Sequence, residues 1–313
     1  MSDTMRATSD ALAPAYLDDD AVCPRNPLVR ALKPALASLR TILPQRIYAP
    51  LYAVLFSAYK AVLRQLYLKN VVARWLGRDP AGYSRAKRVY SVMPYSLVGA
   101  SGLEATFDAA SDLIARGVPG SFVECGVARG GCAALMATVA AEDSPPRKLW
   151  LFDSFEGLPD PTPEDYKEGR KSTGSHIRPL VRGSCLGTRH EVERLLFSRF
   201  KFTRRFISLV QGWFQDTLPA HRKRIGQIAL LRIDGDWYES TICCLDSLYD
   251  NVSAGGAIVI DDYGVCYGCK KAVHEFFAKR GIHPHLIPDG RGGIRFLKDS
   301  RPECAYASQI SWR

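Results

Sequence analysis

The stretch Leu231-Arg-Ile-Asp234-Gly-Asp236-Trp-Tyr238 decides how this chain folds, together with Ile258-Val-Ile-Asp261-Asp262-Tyr263. Each stretch is an apolar run that ends in two acidic residues. Such runs are typical of buried strands in a parallel sheet, and open α/β sheets bind ligands at the carboxyl ends of their strands. Four carboxylates from two strand ends repel one another unless a cation or a shared proton joins them. The two stretches therefore predict an enzyme site that holds a hard divalent metal ion.

The composition is that of a folded and basic protein. The chain has 313 residues, of which 47% are hydrophobic and 24% charged, and its formal net charge is +10. This is ordinary for a globular protein with an ample core. A basic surface can attract nucleic acid, an anionic membrane or anionic substrates. Because no zinc-finger spacing or RNP-like aromatic motif accompanies the charge, attraction to membranes or phosphates is favoured over nucleic-acid recognition.

The cysteines and the N-terminus favour a cytoplasmic location. Nine cysteines are an odd number, and several fall inside predicted strands and helices, so free thiols in a reducing compartment are expected. Residues 1–20 are polar and acidic, without the apolar region of a secretory signal. No stretch reaches the roughly 18 apolar residues that a membrane-spanning helix needs.

Three segments are predicted along the chain. Residues 1–27 are rich in Ser, Asp, Ala and Pro and are predicted to be disordered. Residues 28–80 are predicted to form a basic amphipathic helical segment. Residues 81–313 are predicted to form the catalytic domain.

Residues 28–78 are predicted to form two helices, split by Pro44 and Pro50, and residues 79–82 are predicted to be a linker. The second helix, residues 51–76, interleaves basic residues with apolar and aromatic ones. A helix of this kind can lie on an anionic membrane. The alternative, packing on the catalytic domain or on a second subunit, is somewhat favoured.

From residue 103 onward the chain alternates between helices and strands. Strands with helices between them are predicted at residues 121–127, 149–152, 206–210, 228–233 and 257–260. The alternation predicts an α/β fold with a doubly wound, mostly parallel sheet. Two final strands, at 285–287 and 294–297, have no helix between them and are predicted to form an antiparallel hairpin at one edge. Residues 155–187 are predicted to be a functional lid or a disordered loop.

A glycine-rich turn, Glu124-Cys125-Gly126-Val127-Ala128-Arg-Gly130-Gly131, stands between a predicted strand and a helix. Glycines there let the backbone approach a ligand closely. The acid at the strand end suits a cation or hydroxyls better than a pyrophosphate, and S-adenosylmethionine has both. The next strand ends in Asp153, where an acid commonly binds a ribose diol. Either acid alone is better explained as a helix cap or a surface residue, but the pair favours a nucleoside site.

The acids of the opening stretches lie about one strand-helix-strand unit apart, so neighbouring strands should carry them. Three carboxylates could hold Mg²⁺, which prefers oxygen ligands, and leave room for a substrate's oxygens. Asp236, two residues after Asp234, is a candidate general base. The alternative is that some of these acids cap helices or pair with a basic residue, namely Arg232, Lys270 or Lys271. A zinc site at Cys266 and Cys269 is disfavoured, because a second Cys pair is missing.

At these residues the sequence resembles the macrocin O-methyltransferase family, over about residues 96–298. The likeness is carried by six motifs in the family's order and at compatible spacing: Phe122-Val-Glu124-Cys-Gly126-Val with Arg129-Gly130-Gly131, Asp153-Ser-Phe-Glu-Gly-Leu-Pro159, Gly212-Trp213-Phe214 with Asp216-Thr-Leu-Pro219, Leu231-Arg-Ile-Asp234-Gly-Asp236, Ile260-Asp261-Asp262-Tyr263, and Lys271-Ala-Val-His274-Glu-Phe. Two parts depart from it. The helical residues 28–78 have no evident counterpart, and residues 160–189 match poorly.

The resemblance implies a class I methyltransferase fold, Rossmann-like, that uses S-adenosylmethionine and Mg²⁺ to methylate a sugar hydroxyl. It implies cofactor contacts from nine residues: Ser96, Glu124, Cys125, Gly126, Val127, Ala128, Asp153, Gly212 and Trp213. It implies that the metal is held by Asp234, Asp261 and Asp262. In that picture Asp236 is the catalytic base and takes a proton from one of two vicinal sugar hydroxyls.

Two other functions stay open at this stage. One is O-methylation of a catechol-like small diol, since the metal chemistry is the same. The other is a non-catalytic, methyltransferase-like binding module, which the retained acids argue against. The expected partner is a glycan, a lipid-linked sugar or a glycosylated natural product, with no nucleic acid. A homo-oligomer is expected, and peripheral contact with a membrane through residues 47–76 is one option.

Overall fold

The apolar runs of the sequence form one seven-stranded sheet in the computed structural model, which describes residues 35–36, 38–167 and 180–299. The strands are β1 (Ser121–Cys125), β2 (Leu149–Asp153), β3 (Ile207–Gln211), β4 (Ile228–Ile233), β5 (Val252–Ile260), β6 (Ile287–Pro288) and β7 (Ile294–Leu297). The predicted disorder of residues 1–27, and residues 168–179 of the predicted lid, lie outside the described residues.

The strand order is β3-β2-β1-β4-β5-β7-β6. Strands β1 to β5 are parallel, β7 runs antiparallel to β5, and β6 antiparallel to β7. The predicted doubly wound sheet with an antiparallel hairpin at one edge is therefore confirmed. The chain order reverses between β1 and β4, and in sheets of this kind the crevice at the strands' carboxyl ends at that point binds ligands.

Helices cover both faces of the sheet. The first helix, α1 (Gln45–Leu76), packs mainly on the second, α2 (Pro80–Val92). The helices that follow are α3 (Ala100–Ala115), α4 (Gly131–Ala140), α5 (Arg189–Glu193, continued by a π-helical turn over Arg194–Arg199), α6 (Phe214–Ile225), α7 (Tyr238–Leu248) and α8 (Tyr267–Arg280). One core cluster joins the sheet to α2, α3 and α4, and a second joins it to α6, α7 and α8. On β1 the side chains alternate between them: Phe122 belongs to the first and Val123 to the second.

Two predictions about prolines in the N-terminal segment are wrong. Pro44 precedes α1 as predicted, but Pro50 lies inside α1 rather than between two helices. Because Pro50 is in the second turn, its missing N–H removes one hydrogen bond near the helix start. Residues 79–82 are the start of α2 and not a linker. The Asp79 carboxylate accepts the N–H of Gly82 at 2.9 Å, and Pro80 occupies the first helical position, which tolerates proline.

Among the residues that the structure describes, no helix combines the length and the hydropathy needed to cross a membrane.

Candidate active site

A cavity of about 550 Å³ lies at the carboxyl ends of the central strands. Its wall includes twelve of the thirteen residues predicted for the site, which are Ser96, Glu124, Gly126, Val127, Ala128, Asp153, Gly212, Trp213, Asp234, Asp236, Asp261 and Asp262. The other is Cys125, whose side chain is fully buried in the core cluster beneath α6 to α8. The backbone of Cys125 still faces β4, because its carbonyl accepts the N–H of Asp234 at 2.8 Å.

The turn after β1 needs glycine for two reasons. Gly126 has φ +93°, in the left-handed region that disfavours other residues, and a Cβ there would lie 1.8 Å from the carbonyl oxygen of Asp234. The ends of β1 and β4 therefore approach each other too closely for any side chain. At the start of α4, a Cβ on Gly131 would lie 2.7 Å from the backbone of Ser96. These two glycines bring three parts of the chain together around the cavity.

Asp153, at the end of β2, holds this turn in shape. Its Oδ2 accepts the N–H groups of Val127 (2.7 Å) and Ala128 (2.9 Å), and its Oδ1 accepts that of Phe155 (2.6 Å). Burial raises the pKa of the Asp153 carboxyl, and the three backbone donors oppose that rise. A carboxylate can accept about four hydrogen bonds, so Asp153 can still accept one from a ligand after its three bonds to the backbone.

Glu124 combines deep burial with an unpaired oxygen. The residue is 1% exposed, and its Oε1 lies 3.3 Å from Nη1 of Arg232. Its Oε2 has no hydrogen-bond partner among the described residues. Burial raises the pKa of Glu124 to about 8, although the charge of Arg232 opposes the shift. A buried carboxylate with a spare oxygen in the cavity wall fits a ligand cation such as an ammonium group.

Arg232 connects three of the acids from below the cavity. It is fully buried on β4, with Nη1 at 2.8 Å from Oδ2 of Asp234 and Nη2 at 2.7 Å from Oδ1 of Asp261. From the sequence, pairing with Arg232 is only an alternative to metal binding for these acids. The structure confirms that Arg232 pairs with Asp234 and with Asp261. The feature of the sequence that indicates a buried ion pair here is a charged residue inside the apolar run Leu230-Leu231-Arg232-Ile233. Lys271 instead pairs with Glu164 and Glu275.

The three predicted metal ligands lie together. Asp234, Asp261 and Asp262 each place a carboxylate oxygen within 4.8 Å of the others. A set made only of carboxylate oxygens suits a hard cation such as Mg²⁺, so these residues fit the predicted ion. A second grouping, Asp236, Asp262 and Cys266, has similar spacing. It includes a thiol, which suits softer metals.

Asp236 has an unusual backbone that presents it to the same cavity. Its φ is +54°, in the left-handed region, which Asp and Asn tolerate better than most residues. The residue is 4% exposed. Its N–H donates to Oδ2 of Asp262 at 3.1 Å, and the thiol of Cys266 lies 3.6 Å from its Oδ1. A strained backbone at a buried acid is typical of functional sites.

Arg291, which lines the cavity, and Asp165, which supports its wall, were not predicted from the sequence. Arg291, on the turn between β6 and β7, lines the cavity and lies 2.6 Å from Oδ2 of Asp261. The Asp289 carboxylate fixes that turn by accepting three consecutive backbone N–H groups at 2.7–3.0 Å. Asp165, which is fully buried, accepts the N–H of Tyr238 at 2.7 Å. It thereby ties the first part of the predicted lid to the start of α7.

Together, the sheet order and the turn after β1 define a class I methyltransferase. A family model described as macrocin-O-methyltransferase (TylF) matches residues 37–292. The chain therefore belongs to the macrocin O-methyltransferase family and is an O-methyltransferase. The match begins well before residue 96, so it includes most of the helical segment for which the sequence alone suggested no counterpart.

Relatives of known activity agree with this assignment. The chain is 39% identical over 201 residues to demethyldecarbamoylnovobiocin O-methyltransferase of Streptomyces niveus, covering 64% of this chain and 74% of that protein. It is 33% identical over 221 residues to 8-demethyl-8-(2,3-dimethoxy-alpha-L-rhamnosyl)-tetracenomycin-C 4'-O-methyltransferase of Streptomyces olivaceus, covering 70% and 78%. It is 31% identical over 212 residues to mycinamicin III 3''-O-methyltransferase of Micromonospora griseorubida, covering 67% and 81%.

Solved structures support the fold. The O-methyltransferase NovP superposes with a TM-score of 0.58 at 34% identity, covering 77% of this chain and 99% of that one. The calicheamicin methyltransferase CalS11 superposes with a TM-score of 0.52 at 20% identity, covering 76% and 91%. Because CalS11 is only 20% identical to this chain, its similarity supports the fold and not the function.

Proposed function

We propose that this O-methyltransferase transfers the methyl group of S-adenosylmethionine to a sugar hydroxyl, with the assistance of Mg²⁺. One observation carries the proposal above all. The carboxylates of Asp234, Asp261 and Asp262 share one cavity with the glycine turn after β1 and with the buried Asp236. A methyl donor and an acceptor hydroxyl can therefore meet beside both a cation site and a base.

The cofactor end of the cavity would be formed by the turn after β1 and by the residues facing it. The spare oxygen of Glu124 would accept the ammonium group of S-adenosylmethionine, and Asp153 would bind a ribose hydroxyl. The other residues proposed to contact the cofactor are Ser96, the backbone of Cys125, Gly126, Val127, Ala128, Gly212 and Trp213. When bound, the cofactor supplies the electrophilic methyl group.

The metal end would be formed by Asp234, Asp261 and Asp262. Mg²⁺, when bound, lowers the pKa of a coordinated hydroxyl and orients it. Asp261 cannot turn freely, because Arg232 holds one of its oxygens and Arg291 the other. The N–H of Asp236 similarly orients Asp262.

Asp236 would act as the general base and take the proton from the acceptor hydroxyl. Its carboxylate is buried in the cavity wall, where water competes little for the proton. The next residue, Trp237, donates its ring N–H to the carbonyl of Pro159 at 3.0 Å. That bond fastens the loop after β2 over the turn after β4, so that part of the cavity wall is held in place around the reacting groups.

The acceptor is proposed from the relatives. The names of two relatives give the methylated position, 4'-O and 3''-O, and the first of them also names a rhamnosyl group. A glycosylated natural product, a glycan or a lipid-linked sugar is therefore proposed. The relatives do not favour the catechol-like diol or the non-catalytic module. The cytoplasmic location and the homo-oligomer stay predictions.

The test is methyl transfer from labelled S-adenosylmethionine to a panel of rhamnosides and other deoxysugar glycosides. Glycosides with two vicinal hydroxyls should accept the label, and matched analogues that lack one of the two should accept far less. Equal labelling of catechol and no labelling of any sugar would point to the alternative acceptor. Absence of S-adenosylmethionine binding in calorimetry would refute the enzymatic proposal as a whole.

A further inference from the structure

The side of α1 that faces away from the catalytic domain carries most of the exposed large apolar side chains that the structure describes, with Gln65 and Lys69 as polar residues among them. Fifteen large apolar side chains are exposed among the described residues, and eleven of them lie between residues 39 and 76. We call eight of these the apolar stripe: Ile47, Leu51, Val54, Leu55, Val62, Leu66, Val72 and Leu76. Their spacing keeps them on one side of a helix that is about 48 Å long. Trp75, 63% exposed, lies at the edge of the stripe.

The opposite side of α1 packs on the domain next to the cavity. Lys60 donates from Nζ to the carbonyl of Ser96 at 2.5 Å, and Ser96 lines the cavity. The Arg64 guanidinium lies 4.5 Å from the centre of the Tyr90 ring, and the Tyr67 hydroxyl donates to Glu104 at 2.5 Å. Because these contacts fix the rotation of the helix, the apolar stripe must face outward.

The excess charge of the protein lies in the same part of the chain. Residues 21–78 contain ten Lys and Arg and no Asp or Glu. This equals the formal net charge of the whole chain, +10, so acidic and basic residues cancel in the remainder. On and beside α1, Arg46, Lys69 and Arg78 are exposed. An amphipathic helix with basic residues and an exposed Trp is the pattern of helices that lie in an anionic membrane interface.

We propose that the apolar stripe docks on a bilayer that carries anionic headgroups, with the axis of α1 parallel to the membrane plane. The stripe enters the boundary between headgroups and acyl chains, while the basic side chains reach the headgroups. The contact between Lys60 and Ser96 then sets the cavity wall close to the membrane surface. A lipid-borne acceptor would reach the cavity there, and only this consequence rests on the proposed function.

A second copy of the chain fits this surface less well. Symmetric pairing would place two acid-free segments against each other. The ten basic residues of each segment would find no carboxylate in the other, and like charges on packed helices repel. An anionic lipid surface has the complementary charge along the same length.

The test is co-sedimentation of the full-length protein with vesicles of phosphatidylcholine alone or of an equal mixture with phosphatidylglycerol. The protein should bind the mixed vesicles, and added salt should weaken binding. A double variant of the stripe, Leu55→Glu with Leu66→Glu, should bind at least about tenfold more weakly, since two apolar contacts are lost. The matched control is Leu297→Glu, an exposed leucine on β7, which should bind like the wild type.

The variants should keep the far-ultraviolet circular dichroism of the wild type, because both substituted leucines on α1 are exposed. Wild-type protein that stays in solution with the mixed vesicles would overturn the proposal. So would unchanged binding of the folded double variant. Light scattering tests the competing explanation. If the wild type is a dimer that does not bind vesicles, and the double variant is a monomer, then a second copy of the chain covers the stripe and the proposal is wrong.

Discussion

The guanidinium of Arg232 and the carboxylate of Asp261 form a buried ion pair across neighbouring strands, with Nη2 and Oδ1 2.7 Å apart and the side chains 0% and 4% exposed. The same guanidinium contacts Asp234 and Glu124. Part of the repulsion between the acids is therefore balanced by the protein itself. The remaining carboxylate charge is what a metal ion would balance.

Replacing Arg232 should destabilise the fold. Arg232→Met leaves buried carboxylates without their cation, which typically costs about 3–5 kcal/mol of unfolding free energy. The matched control is Arg182→Met, which removes an exposed pair with Asp160 and should cost at most about 0.5 kcal/mol. Urea unfolding measures both. Equal unfolding free energies for the two variants would contradict the role given to Arg232.

Cofactor binding should release a proton from Glu124. The pKa of about 8 means that the free protein holds this carboxyl largely protonated near neutral pH, whereas a bound ammonium group favours the ionised form. Affinity for S-adenosylmethionine should therefore rise with pH and level off above about pH 8. Calorimetry slightly below pH 7, in buffers of different ionisation enthalpy, counts the proton.

Glu124→Gln is the variant that isolates this effect. It should bind S-adenosylmethionine more weakly, without proton release and with little dependence on pH. A wild-type protein that binds the cofactor without releasing a proton would show that Glu124 is already ionised or does not meet the ammonium group.

Substituting Asp236 should separate catalysis from binding. Asp236→Asn keeps a residue that tolerates the left-handed backbone, but it removes the base, so methyl transfer should fall by about 10²–10⁴-fold. Binding of S-adenosylmethionine should stay close to that of the wild type. Steady-state rates and calorimetry check the two statements. A variant that keeps its rate would mean that another group accepts the proton.

His274 should make the fold sensitive to acid. Burial lowers its pKa from 6.5 to about 4, and its Nε2 is hydrogen-bonded to the Tyr263 hydroxyl at 2.7 Å. His274 therefore binds a proton more tightly in the unfolded chain than in the folded protein. The contribution of neutral His274 is complete above about pH 6.5 and is lost as pH falls toward 4.

His274→Gln should flatten the loss of unfolding free energy between about pH 6.5 and 4, since glutamine can bond Tyr263 without titrating. The control is His283→Gln, an exposed histidine, which should follow the wild type. Urea unfolding at several pH values gives the slopes. Parallel curves for His274→Gln and the wild type would remove His274 as the cause.

The fold and most of the cavity wall follow from local pattern. Central strands buried on both faces must be apolar runs, and parallel strands bring their carboxyl ends to one edge. Glu124, Asp153 and Asp234 could therefore be assigned to one site, because each lies at or beside the carboxyl end of such a run. For these three acids, the apolar pattern and the position at a strand end were sufficient to predict the site.

Other features depend on tertiary contacts that no local pattern encodes. In the sequence, Arg232 only interrupts the apolar pattern of a strand. Its role becomes evident in the fold, where three acidic residues contact it. Arg291 reaches the cavity only because the antiparallel hairpin folds back beside β5. Pro50 usually ends a helix, yet α1 continues through it while its inner side packs against α2.

The central claim is that methyl transfer to a sugar needs a cation held by Asp234, Asp261 and Asp262. The direct measurement is the rate of methyl transfer to a reactive glycoside by chelator-stripped protein titrated with Mg²⁺. The rate should fall to background without metal and return with Mg²⁺ in the wild type and in Asp246→Asn, a surface control. Asp262→Asn should not recover at the same Mg²⁺ concentration. Undiminished transfer by the metal-free protein would contradict the account.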